Sequence, residues 1–131
     1  MSIETGLYAY LTANSGVSAI VSTRLYPLKL PQGATLPALA YQLISNARPH
    51  DITAGPTGHA FPRFQITSYA ESYSAAKSLA AAVRSALDGY RGAMGSETGV
   101  GGVALIGERD SFETETEYPS VQQDYLIPHS E

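Results

Sequence analysis

The stretch LYPLKLPQGATLPALAYQLIS, from Leu25 to Ser45, constrains the local fold of this chain more tightly than any other. Tyr26, Pro27 and Leu28 begin extended, because the residue before a proline is driven out of the helical region and proline donates no ladder hydrogen bond. Pro31, Gln32 and Gly33 spell a turn, and Pro37 sets the entry into a second extended run, Ala38 to Ser45. There Leu39, Tyr41 and Leu43 alternate with Ala40, Gln42 and Ile44. A period of two with one apolar and one mixed side marks a strand buried on one face. Read alone, the segment predicts a β-hairpin with a proline-marked connection.

The rest of the chain falls into elements around it. Ser2 is placed to cap a helix carrying Ile3, Leu7, Tyr8 and Leu11 on one stripe, with Asn14 and Gly16 as its stop. Val17 to Val21 has room for a short second helix or a turn. Arg48 to His59, RPHDITAGPTGH, is a long loop or hairpin arm, since its prolines and glycines punctuate structure and little of it is apolar. Phe61 to Ala70 alternates Phe64, Ile66 and Ser68 with Arg63, Gln65 and Thr67, and Pro62 confines its start to an edge or a bulge.

Ser74 to Asp88 is the clearest helix. Ser72 or Ser74 caps its start and Gly89 sits where a left-handed C-terminal residue belongs. Ala76, Leu79, Ala80, Val83, Ala86 and Leu87 form a core stripe, while Lys77, Ser78, Arg84, Ser85 and Asp88 take the wet side. Ala75, Ala81 and Ala82 widen a small-residue surface. Beyond it, Met94 to Gly102 is glycine-rich and reads as a mobile hairpin tip or crossover that buries little. Val103 to Arg109 and Ser120 to Ile127 are the final strands, the second bracketed by Pro119 and Pro128. The order helix, short helix, three strands, long helix, two or three strands predicts an α+β fold: a mainly antiparallel sheet with the N-terminal helix and the long Ala-rich helix on one face.

Four segments, taken together and in order, resemble the tail-completion proteins of long-tailed bacteriophages, also called tail terminators or tail-to-head joining proteins. They are the opening helix Ile3 to Leu11 with SGVSAIVSTRLYP, the stretch YPLKLPQGATLPALAYQ, the strand-to-helix run RFQITSYAESYSAAKSLAAAVRSALDGYRG, and ERDSFETETEYPSVQQDYLI near the C-terminus. The resemblance implies a structural virion protein that caps the phage tail tube as a ring, typically a hexamer, at the head-proximal end of the tail, and forms the joining surface for the DNA-filled head. Its implied partners are further copies of itself, the tail tube protein and a head-completion or connector protein. Another head-tail connector or a minor tail component, from phage or prophage, is the second reading.

Composition narrows the field independently. At 131 residues the chain is expected to form one domain, residues 1–131, burying roughly two thirds of its unfolded surface. With no cysteine, disulfide frameworks, zinc–thiolate sites and cysteine nucleophiles drop out. No apolar run approaches the roughly 20 residues of a membrane-spanning helix, and MSIETG has neither the basic flank nor the apolar core of a signal peptide. The expectation is a soluble protein made in the host cytoplasm, with no membrane partner. Eight Lys and Arg against twelve Asp and Glu give a net charge of −4. A nucleic-acid binder draws its affinity from neutralising phosphates, so no specific nucleic-acid binding is expected.

Candidate chemistry is sparse. His50, Asp51 and His59 are close in sequence but lie in a Pro/Gly segment, without the rigid, defined spacing of zinc ligands. Glu108, Asp110, Glu113, Glu115 and Glu117 lack the turn glycine of a calcium loop; they read as a solvated hairpin end, or as an acidic patch facing a partner or a lumen. Nucleophile-elbow, phosphate-loop and dinucleotide signatures are missing. The reading is therefore not an enzyme, with no metal and no cofactor. The residues expected to meet partners are His50, Asp51 and Ile52 in the first loop and Gly95, Ser96 and Glu97 in the second, because long segments with little of their own to bury are commonly functional.

Overall fold

A computed structural model describes residues 3–22, 24–28, 33, 35–47, 50–51, 55–56, 59–94, 97–112 and 118–130. Its elements, in chain order, are helices α1 (Ile3–Ala13) and α2 (Ser15–Val21), strands β1 (Leu25–Pro27), β2 (Ala38–Ala47), β3 (His50–Asp51), β4 (Gly55–Pro56) and β5 (His59–Tyr69), helix α3 (Tyr73–Leu87), and strands β6 (Gly92–Met94), β7 (Glu97–Val100), β8 (Ala104–Phe112), β9 (Pro119–Leu126) and β10 (His129–Ser130). The main sheet runs β1-β2-β5-β9-β8, antiparallel at every step but the first. The expected α+β architecture is what the chain adopts.

Alternation decides which residues face the helices. Leu39, Tyr41 and Leu43 of β2 lie opposite Ser68, Ile66 and Phe64 of β5, which in turn lie opposite Val121, Gln123 and Tyr125 of β9. This face meets Ile3, Leu7, Leu11, Val17, Val21, Leu79, Val83 and Leu87 from the three helices. All six residues of the expected α3 stripe are buried. Ser72, rather than Ser74, caps α3 by accepting a hydrogen bond from the Ala75 amide at 3.2 Å, and Gly89 follows with φ +82°. The Ser2 cap lies outside the described residues.

Asn14 follows the last residue of α1, as expected, and has a second job. It begins α2, its side-chain oxygen accepting from the Gly16 and Val17 amides at 3.0 and 3.2 Å, so the residue that ends α1 also caps the next helix. At the far end of α2, Arg24 donates to the Ile20 carbonyl at 3.0 Å and to the Pro37 carbonyl at 2.9 Å, tying the helix to the start of β2.

Three expectations are corrected. The segment from Leu25 to Ser45 is not a β-hairpin: β1 and β2 are parallel, Leu25 beside Leu39 and Pro27 beside Tyr41. Strand periodicity carries no information about direction, so alternation alone does not tell a parallel return from a hairpin. The Met94–Gly102 segment is an antiparallel hairpin of β6 and β7 whose Met94 and Val100 are buried in the core. Its glycines loosen the backbone, yet the two large apolar side chains anchor it. Finally, the chain beyond α3 forms five strands rather than two or three, because β10, past the bracketing Pro128, pairs with both β5 and β7.

Candidate interaction surfaces

The opposite face of the main sheet carries Gln42, Arg63, Gln65, Thr67, Gln122, Asp124, Arg109 and Ser111. None of the three helices packs on it, and its middle is polar. Asp124 is its centre: the carboxylate is 8% exposed and accepts from Arg63 Nη2 at 2.7 Å, with Gln65 Nε2 at 3.5 Å and Arg109 Nη1 at 3.8 Å. A buried carboxylate is tolerated because two cations on the flanking strands stand over it. The face thus holds a neutralised charge cluster on an otherwise amide- and hydroxyl-rich surface.

On the helix side, Gln123 is fully buried and takes part in three hydrogen bonds. Its Nε2 donates to the Ala80 carbonyl at 3.1 Å and to Glu108 Oε1 at 2.7 Å, and its Oε1 accepts from the Tyr125 hydroxyl at 3.1 Å. Burial, with Glu108 nearby, holds the Tyr125 phenol well above its ordinary value. This network locks β9 to α3 and β8, and it is a positioning device rather than a reaction centre. Lys77, Asp110 and Tyr73 form a second, solvent-facing cluster: Lys77 Nζ stands 2.8 Å from Asp110 Oδ1 and Tyr73 donates to Asp110 Oδ2 at 2.8 Å. The Lys77 hydrogen bond, then that of Tyr73, holds the Asp110 carboxyl below its ordinary value, and the same Asp110 contact raises Lys77.

Of the expected contact residues, His50, Asp51 and Glu97 are described, and they lie in two hairpins. His50 and Asp51 form β3, paired with Pro56 and Gly55 of β4, so the first segment is the hairpin arm of its two readings. Glu97 opens β7 opposite Met94. Ile52, Gly95 and Ser96 lie outside the described residues, as do Glu113, Glu115 and Glu117. The bases of the two segments are brought together: His129 of β10 lies between Ala60 of β5 and Val100 of β7. Two strand spacings, about 10 Å, separate those backbones. Among the described residues no group of three or more His, Cys, Asp or Glu is arranged to hold a metal ion.

Gly6 is a structural residue that the sequence reading did not single out. A Cβ built there would collide with the Met94 carbonyl oxygen, so α1 rides directly on β6. A glycine inside an otherwise regular apolar stripe is the signal that marks such a close approach.

Comparison with known proteins places the chain. No curated protein matches it. Among solved structures, a chain from the structure titled "Virion of native gene transfer agent (GTA) particle" is similar in fold, with a TM-score of 0.76 at 20% identity, covering 95% of this chain and 92% of that one. The family described as "Tail completion protein gp17" matches residues 5–129. The chain belongs to that family of tail completion proteins.

Proposed function

We propose that the protein is a tail terminator, a ring of identical subunits, six by the symmetry its resemblance implies, seated on the head-proximal end of the finished tail tube and offering the surface to which the DNA-filled head attaches. The observation that carries this reading is the family match across residues 5–129, nearly the whole chain. A ring of identical subunits needs two different complementary faces on each copy, and a sheet with unlike outer strands at its two ends is suited to that. On this reading its partners are other copies of itself, the tail tube protein and a head connector. It performs no catalysis and needs no cofactor.

The arm at His50, Asp51 and Ile52 and the β6–β7 end at Gly95, Ser96 and Glu97 are its contacts with the tube or the connector. The pairing of β10 with both β5 and β7 supports placing both contacts on one side of the subunit. The test is reconstitution. Purified protein is added to tails made without their terminator, and head attachment and tail ends are scored by electron microscopy. The proposal expects a ring at one tail end and restored joining to heads. Tails that remain uncapped and infertile would reject it.

A further inference from the structure

Among the described residues only two that are not glycine take a positive φ, and they stand at the two ends of β1. Ser22, before it, has φ 54° and ψ −114°; Leu28, after it, has φ +69°. The first pair of angles is ground that glycine occupies at the leading position of a tight turn, and a positive φ in a residue as bulky as leucine is an outlier. Both side chains are exposed, Leu28 by 70%, so no packing of their own offsets the strain. Strained backbone of this kind persists only where the surroundings impose it, and it gathers at segments that switch.

What imposes it is a short set of contacts. β1 meets β2 over three residues, Leu25 to Pro27, and of these only Leu25 is buried. At one end the Arg24 carbonyl accepts from the Leu39 amide at 3.0 Å, and at the other the Leu28 amide donates to the Tyr41 carbonyl at 2.8 Å. Arg24 adds its side chain, Nε to the Pro37 carbonyl at 2.9 Å and Nη2 to the Ile20 carbonyl at 3.0 Å. Since Arg24 and Leu28 turn their backbone groups toward β2, the alternation of the strand turns those of Pro27 outward, where a residue without an amide blunts the edge of the sheet.

We propose that Arg24–Leu28 is a strap that opens off β2 as one unit while the rest of the sheet stays folded, strain at Ser22 and Leu28 driving it open and Arg24 with Leu25 holding it shut. Closed, the sheet ends at Pro27 and offers little to a further strand. Open, the backbone of β2 from Leu39 to Tyr41 is bare on its outer side. The device is a gated sheet edge, and it stands independently of the terminator reading. Elements that move are drawn from the weakly held end of a structure, and a three-residue parallel contact between two strained residues is such an element.

The test is native-state hydrogen exchange of the full chain, followed amide by amide by NMR in low concentrations of urea. The Leu28 and Leu39 amides close the two ends of the strap, so they report its opening directly. The strap expects both to share one opening free energy and one shallow urea dependence, and to exchange about tenfold or more faster than the amides of Phe64 and Ile66 in β5. Ser22→Gly removes strain from the closed state and should slow both amides about threefold, although glycine loosens the open chain. Arg24→Ala removes the latch and should speed them by about tenfold. Leu28 and Leu39 amides that exchange only with β5, in global unfolding, would overturn the strap. So would unequal opening of the two amides, which is fraying from one end, or faster exchange in Ser22→Gly, which would show that Ser22 carries no strain.

Discussion

The two faces of one sheet divide the work of this molecule. On the helix side Leu39, Phe64, Ile66 and Tyr125 meet three helices and are fully buried; on the other, Asp124 is held beneath Arg63 and Arg109 with Gln65 beside it, and Gln42 stands exposed. The difference teaches where stability and association reside. Burial of apolar area supplies the fold from one side. The uncovered side is left with polar groups that another copy or another protein can engage.

That contrast can be broken by substitution, and the covered face should show the largest effects. Phe64→Ala removes a fully buried ring from the centre of the sheet and should cost about 3–5 kcal/mol, whereas Gln122→Ala on the open face should stay within about 0.5 kcal/mol. Urea denaturation of the two variants compares them directly; equal losses would mean that the open face is as much a core as the other.

Gly6→Ala probes how closely α1 sits on the hairpin. The new methyl would meet the Met94 carbonyl, a backbone atom that cannot swing away, so a loss of about 1–3 kcal/mol is expected. Alanine is ordinarily the better helix former, and a variant that melts higher than the parent would show that α1 stands off β6 in solution.

Arg63→Ala tests whether the open face contributes to stability. Asp124 would keep Arg109 and Gln65 but lose its 2.7 Å partner. Arg63 is 44% exposed, and solvent screening limits the expected loss to about 1 kcal/mol. A loss equal to that of Phe64→Ala would erase the distinction between the faces.

The smallest effect belongs to Lys77 and Asp110 at the surface. Asp110 is held below its ordinary 3.8, so its contribution is present above that value and fades as pH falls through the lower folded one. Lys77 is raised above 10.5, so its share is present below that value and fades as pH rises through the higher folded one. Asp110→Asn should therefore flatten the acid limb of the melting profile below about pH 5, and, with the partner of Lys77 gone, its alkaline limb as well. A difference from the parent that first appears near neutrality would contradict the pairing.

Much of this architecture was legible in the residues, and the misses share a cause. The α3 stripe from Ala76 to Leu87 follows from helical spacing, and the alternation of Phe64 and Ile66 with Arg63 and Gln65 marks the two faces of β5. What spacing does not carry is which strands become neighbours. The parallel return of β1 onto β2, the β10 bridge between β5 and β7, and the salt-bridged Asp124 all depend on pairings distant in sequence. Met94 and Val100 were obscured by the glycines around them, and Gln123 sits in a strand pattern where nothing local distinguishes a buried amide from a wet one.

The central claim, that the chain closes the tail as a ring, is tested most directly by an image reconstruction of tail ends capped with the purified protein. The account predicts one ring of six copies at the head-proximal end. A single copy per tail, a stoichiometry incompatible with six-fold symmetry, or density along the tube wall would contradict it.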